Sequence, residues 1–332
     1  MLFDIIYIII GIVLVLRGAD RLTEGAAALA RRMQVPEIII GLTIVAAGTS
    51  APELFVSLSS ALKGSADIAV GNVIGSNILN TLLIVGCAAM VAPIAIARST
   101  VSKDLPLSVA VTILLIILCL DNFSDTDIRG NTVSRTDGII MLACFAAFMA
   151  FTIHTAKRDN AKSNADTADK NNGHELDKSS EPATPVWKSI TLIAVGLLFL
   201  IFGSDLFSEY AAKVAGTLGM SDAAIGITIV AGGTSLPELA TTVIAARKGQ
   251  SAMAIGNVLG SNIFNILAIL GITSAISPLT ITDITMTDLY VMIAGAVTVW
   301  LFSFTKYTVS RIEGIFLTAS YIGYAAWRLF NA

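Results

Sequence analysis

Residues 41–86, GLTIVAAGTSAPELFVSLSSALKGSADIAVGNVIGSNILNTLLIVG, recur without a gap at 226–271 as GITIVAGGTSLPELATTVIAARKGQSAMAIGNVLGSNIFNILAILG, identical at 26 of 46 positions. The offset of 185 residues extends backward, pairing Gly11 with Gly196, Asp20 with Asp205 and Glu24 with Glu209. A duplication on this scale restricts the chain to architectures made of two copies of one unit.

The unit is made for lipid. The chain has 332 residues, of which 55% are hydrophobic and 14% charged, and its mean hydropathy is +0.79. Apolar runs long enough for the roughly 30 Å hydrocarbon core recur from end to end. Inside that core every backbone N–H and C=O must be satisfied within the protein, which leaves helices as the natural solution for runs of this length. An all-α polytopic membrane protein of ten transmembrane helices is expected. The spans fall near 2–18, 37–62, 67–91, 104–120, 137–155, 188–210, 222–246, 252–276, 288–305 and 310–330. The first lacks the basic flank of a signal peptide and recurs internally as ITLIAVGLLFLIFGSD, so it reads as a retained helix.

Three segments follow. Residues 1–155 form a first five-helix repeat, 156–187 a disordered cytoplasmic linker, and 188–332 a second five-helix repeat. The linker is rich in Asn, Asp, Lys and Ser and too poor in apolar residues to build a core. Its DTADKNNGHELD does not match the acidic and glycine positions of an EF-hand loop. The net charge of −3 gives no reason to expect a nucleic-acid partner, and nothing points to an obligate protein partner. Three cysteines, Cys87, Cys119 and Cys144, sit in apolar runs without CxxC spacing and read as buried thiols.

Five helices per copy is an odd number, so the second copy enters the membrane from the opposite side, as inverted-topology repeats do. The basic residues then orient the chain. With the N-terminus outside, 14 lysines and arginines fall on the inner side and 5 (Lys63, Arg129, Arg135, Lys213 and Arg328) on the outer. The positive-inside rule favours outer N- and C-termini and a cytoplasmic linker.

Between Ile38 and Leu62 the one ionisable residue is Glu53, and its repeat mate is Glu238. A lone carboxylate at bilayer depth costs at least roughly 2.5 kcal/mol, and two held together repel unless a cation or proton intervenes. Pro52 with Gly48, and Pro237 with Gly233, should break each helix. The break should free carbonyl oxygens, those of Ala46, Thr49, Ala231 and Thr234 being best placed. Thr49 shares a helical face with Glu53, and Ser76 with Asn80, as do Thr234 with Glu238 and Ser261 with Asn265. Oxygen donors of this kind suit hard cations such as Ca²⁺ and Na⁺. Both histidines, His154 and His174, lie at or in the linker, which argues against a soft metal. The glycines at 71, 75, 256 and 260 read as helix-packing positions, and Asn72, Asn77, Asn257 and Asn262 as interhelical hydrogen bonders or ligands. Asp20, Glu24, Asp205 and Glu209 read as interfacial.

GTSAPE with GNVIGSNILN, and GTSLPE with GNVLGSNIFN, resemble the two alpha-repeat signatures of the calcium/cation antiporter superfamily, specifically prokaryotic sodium/calcium exchangers. The resemblance implies ten helices in inverted repeats, in the inner membrane of a prokaryote. It makes Glu53 and Glu238 shared ligands of transported Ca²⁺ and Na⁺, completed by Thr49, Ser50, Ser76, Thr234, Ser235, Ser261 and the carbonyls of Ala46 and Ala231, with Asn80 and Asn265 at the centre. It also implies alternating access, with the first and sixth helices sliding over a more fixed bundle. Potassium-dependent members carry aspartate where this chain has Asn265, so exchange without K⁺ is expected. The alternatives are H⁺/Ca²⁺ or other divalent antiport and a K⁺-dependent exchanger. An intramembrane hydrolase built on Ser50 or Ser76 would need a base, and no His or Lys stands beside either motif serine. The expectation is a transporter, not an enzyme, with Ca²⁺ and Na⁺ as cargo and no cofactor.

Overall fold

A computed structural model describes residues 2–120, 127–170, 185–220 and 231–330. Its helices are α1 (Leu2–Met33), α2 (Glu37–Thr49), α3 (Ala51–Leu62), α4 (Ala66–Val91), α5 (Thr100–Leu118), α6 (Arg135–Lys170), α7 (Val186–Thr217), α8 (Ala231–Thr234), α9 (Leu236–Arg247), α10 (Ser251–Ile276), α11 (Met286–Ser303) and α12 (Arg311–Phe330). Among the described residues seven helices are long and apolar enough to cross a membrane, or eight if the bent pair α2–α3 counts as one span. The chain is therefore a multi-pass, mostly helical membrane protein. Residues 221–230, where the seventh expected span begins, and 171–184 of the linker lie outside the described residues.

Burial separates the helices into a centre and a periphery. Across their most apolar stretches α10 is 89% buried and α4 78%, whereas α1 is 22% and α7 28%. Helices that are apolar all round and buried form the interior, and α4 and α10 carry the two GNVxGSNI motifs there. α1 and α7 pack on each other along glycines. A Cβ added to Gly18 would lie 2.8 Å from the Gly196 carbonyl oxygen and 2.8 Å from the Leu200 nitrogen. Tyr7 stacks on Tyr210 with ring centroids 4.4 Å apart. Backbones this close make the two helices one unit.

Several helix ends differ from the sequence expectation. α1 runs to Met33, not to 18, because the polar segment after Gly18 is amphipathic: Ala19, Leu22 and Ala26–Ala30 are buried while Arg21 and Glu24 face outward. α6 runs to Lys170, past the expected end at 155, so the linker's first part is helical rather than disordered. Once the apolar stretch has supplied the nucleus, each added residue extends a helix at little cost, and Ala- and Lys-containing sequence suffices.

Two miniature antiparallel ladders, absent from the expectation, cross-link the halves. β1 (Ile94–Ala95) pairs with β4 (Thr308–Val309), and β2 (Thr132–Val133) with β3 (Leu279–Thr280). The connection after α4 thus bonds the one before α12, and the connection after α10 bonds the one before α6. At two residues each, these strands carry too little alternation to be read from sequence.

Candidate functional site

Each GTSxPE motif sits at a break. α2 and α3 meet at 46°, with Ser50 between them at φ −84°, ψ 8°. Ser235 stands between α8 and α9 at φ −92°, ψ 7°. Pro52 and Pro237 occupy the first turn of the following helix, where a missing N–H costs nothing. The break therefore places each glutamate in the first turn of a helix, at its electropositive end.

Glu53 and Glu238 are both 1% exposed, near enough to feel each other's charge. Their hydrogen bonds cross between the halves. Ser50 Oγ donates to Glu238 Oε1 at 2.9 Å, and Ser235 Oγ donates to Glu53 Oε1 at 3.0 Å. Ser235 Oγ lies 3.3 Å from Ser76 Oγ, and Ser261 Oγ reaches Glu238 Oε1 at 3.5 Å. The hydroxyls of Thr234 and Thr49 lie against Glu53 and Glu238 respectively. Thr49 also contacts Asn257 Oδ1 at 3.2 Å.

The asparagines, four residues on from Ser76 and Ser261, repeat the exchange. Asn80 Nδ2 donates to Asn262 Oδ1 and Asn265 Nδ2 to Asn77 Oδ1, each at 3.1 Å. Asn262 is fixed in turn by Thr81, at 2.8 Å. Asn80 and Asn265 lie in π-helical turns, Leu79–Ile84 and Phe264–Leu270, a distortion that recurs at functional sites. Asn72 ties α4 to the break by donating to the Glu53 carbonyl (3.1 Å) and to Ser57 Oγ (2.9 Å). Asn257 repeats this toward the Glu238 carbonyl (3.5 Å) and Thr242 Oγ1 (2.9 Å).

Four buried oxygens at this place have no hydrogen-bond partner among the described residues: Glu53 Oε2, Glu238 Oε2, Asn80 Oδ1 and Asn265 Oδ1. Every amide of the pair 80 and 265 spends its NH₂ on a neighbouring asparagine and leaves its oxygen bare. Buried polar atoms are rarely left so, and four unpartnered acceptors on the two repeated motifs are what a bound cation would satisfy. Among the described residues no three His, Cys, Asp or Glu converge as a metal-binding group, which leaves carboxylate, amide and hydroxyl oxygens as the donor set.

The structure thus brings together Glu53, Glu238, Ser50, Ser235, Ser76, Ser261, Thr49 and Thr234, and sets Asn80 and Asn265 four residues along the same helices from Ser76 and Ser261. It corrects one expectation: the Ala46 carbonyl is not freed, since it accepts the Ser50 N–H at 3.0 Å and Thr49 Oγ1 at 3.3 Å. The bend is too shallow to open that turn. Ala231 begins the short α8. Sequence reading missed Ser57, Thr242 and Thr81. Their one signal is spacing, Ser57 and Thr242 standing four residues after each glutamate.

The sodium/calcium exchanger protein family model matches residues 3–154 and 188–330. The chain is 38% identical over 328 residues to CaxA of Alkalimonas amylolytica, whose name marks it as a candidate antiporter, with 98% of each chain covered. It is 29% identical to the sodium/calcium exchanger MaX1 of Methanosarcina acetivorans, with 97% of each chain covered. Structures of the sodium-calcium exchanger NCX_Mj superpose with a TM-score of 0.80 at 29% identity, covering 98% of each chain. A match across both halves, joined to a duplicated set of buried, unpartnered oxygens in a membrane bundle, leaves little room for another assignment: the chain is a transmembrane cation/Ca²⁺ antiporter and belongs to the sodium/calcium exchanger protein family.

Proposed function

We propose that the protein extrudes Ca²⁺ in exchange for Na⁺ by alternating access, without a requirement for K⁺. The observation that carries this reading is the set of four partnerless oxygens, two of them on carboxylates. Glu53 and Glu238 bring two formal negative charges, enough to neutralise one Ca²⁺, and Asn80 and Asn265 add neutral oxygens on the same cage. The eleven candidate ligand positions are Glu53, Glu238, Thr49, Thr234, Ser50, Ser235, Ser76, Ser261, Asn80, Asn265 and Ala231, the Ala46 carbonyl being taken by Ser50 and Thr49. Sodium prefers the same hard donors, so the two ions compete and transport becomes exchange.

The architecture proposed for this mechanism is ten helices in two inverted repeats, 1–155 and 188–332, in a prokaryotic inner membrane with both termini outside. The reciprocal ladders support inversion. Hydrogen-bonded strands must lie at one end of the bundle, so the connection after α4 shares an end with the one before α12. Two copies of the same orientation would set those connections at opposite ends. Ca²⁺ uptake into proteoliposomes, with Na⁺, H⁺ and K⁺ gradients imposed one at a time, tests the proposal. Uptake that follows the Na⁺ gradient alone supports it, whereas uptake that follows the pH gradient assigns H⁺ as the counter-ion.

A further inference from the structure

Lys248 sits in the turn between α9 and α10 and reaches across to α1. Its Nζ lies 2.6 Å from Asp20 Oδ1 and donates to the Asp20 carbonyl and to Thr23 Oγ1, each at 3.0 Å. Three contacts from one ammonium fix α1 against the bundle at that end.

The duplication contains a second copy of every part of this contact. Subtracting 185 from Lys248 gives Lys63; adding 185 to Asp20 and Thr23 gives Asp205 and Ser208, the latter again a hydroxyl. The two turns are built alike. Lys63 N–H bonds the Ser59 carbonyl and Lys248 N–H that of Ile244, at 3.2 and 3.0 Å. Gly64 and Gly249 follow with positive φ, 82° and 74°, a conformation glycine alone adopts at little cost. Yet among the described residues Lys63 makes no ion pair, and Asp205 has no cationic partner. One contact is made and its repeat mate is open.

We propose that Lys248–Asp20 and Lys63–Asp205 are alternating latches, one closed in each of the two access states. The inference rests on the alternating-access reading above and names residues that set its end points. α1 and α7 are welded along Gly11, Gly18, Gly196 and Gly203, where an added Cβ would meet the opposite backbone at 2.6–2.8 Å. Asp20 and Asp205 therefore ride on one body. The two lysines stand on turns that inversion puts at opposite ends of the bundle. A slide of the α1–α7 pair that draws Asp20 away from Lys248 carries Asp205 toward Lys63. The Lys248–Asp20 bridge is partly exposed, and Lys63 and Asp205 are both exposed, so either contact would bias the two states without trapping one.

Cross-linking tests the pairing in the full-length protein, with Cys87, Cys119 and Cys144 replaced by alanine. Asp20 and Lys248 are changed to cysteine in one variant, and Lys63 and Asp205 in a second. A short homobifunctional maleimide is added in proteoliposomes during Ca²⁺ exchange. Both pairs should cross-link, each link should stop flux, and in a four-cysteine protein one link should exclude the other. Failure of the 63–205 pair to link, or both links on the same molecule, overturns the proposal. Flux before the cross-linker is added reports separately on exchange. A variant that transports normally but never links 63 to 205 removes the latch and leaves exchange standing. A complementary measurement uses Lys248→Gln and Lys63→Gln with a reporter cysteine at Ala46. The two should shift its labelling by an impermeant reagent in opposite directions, on the order of two- to fivefold, and the double variant should restore the balance. Shifts in the same direction would show a merely structural role.

Discussion

Ser50 hydrogen-bonds Glu238, not Glu53, although Glu53 is three residues away on its own chain segment. With Ser235 returning the bond to Glu53, each carboxylate is oriented by the other half of the protein. The crossed bonds occupy one oxygen of each glutamate and leave the second oxygen of each without a partner among the described residues. The site is therefore a property of the assembled pair of repeats, and neither half holds it alone.

Ser50→Ala and Ser235→Ala should each weaken Ca²⁺ binding while the protein stays folded. A hydrogen bond to a charged group contributes about 1.5–3 kcal/mol, so the apparent Ca²⁺ affinity should fall about tenfold or more. Because the bonds cross, the double variant should show each glutamate losing its own restraint, with no compensation between sites. Half-saturation of Ca²⁺-dependent flux measures this, and unchanged values in both single variants would mean the serines do not orient the carboxylates.

Potassium dependence follows from charge at position 265. An amide there leaves two formal charges at the cage, and Asn265→Asp adds a third that calls for an extra monovalent ion or proton. Wild-type flux should persist when choline replaces K⁺ on both sides of the membrane. Asn265→Asp flux should become sensitive to K⁺ or pH. Loss of wild-type flux on removing K⁺ would place a potassium site elsewhere.

Single cysteines placed between 171 and 180, in a background lacking the three native ones, should be labelled only from the cytoplasm. Intact cells treated with an impermeant maleimide should leave them unmodified, and labelling should appear after permeabilisation. Modification of intact cells would reverse the orientation.

Gly18→Leu should cost the protein its α1–α7 contact. A Cβ there already meets backbone at 2.8 Å, and backbone cannot yield as a side chain can. Thermal stability in detergent should drop by several degrees, and Gly18→Ala should be the milder of the two. An unchanged melting temperature in Gly18→Leu would show that the two helices do not form one unit.

Much of this was legible in the sequence because lipid makes polar residues conspicuous. Glu53 and Glu238 stood out as lone charges in apolar runs, and the duplication tied each to a helix-breaking proline and a set of hydroxyls. What could not be read was which half each hydroxyl serves, since Ser50 is as close in sequence to Glu53 as it is in space to Glu238. The π turns that carry Asn80 and Asn265 have no residue signature. The Lys248–Asp20 contact joins residues 228 apart in sequence, and a lysine in a turn reads as solvated until its partner is seen. The end of α1 was misjudged because its charged residues lie on the outer face of a helix whose inner face stays apolar to Ala30.

The central claim is one cage, shared by both ions and built on both glutamates. Direct binding of ⁴⁵Ca²⁺ to the purified protein, titrated with Na⁺ at constant ionic strength and repeated with Glu53→Gln and Glu238→Gln, tests it most directly. A neutral amide fills the same space but cannot balance a divalent charge, so both variants should stay folded and lose Ca²⁺ binding. In the wild type Na⁺ should displace bound Ca²⁺ completely. Near-normal Ca²⁺ binding in either variant, or Ca²⁺ that stays bound at saturating Na⁺, would contradict the shared site.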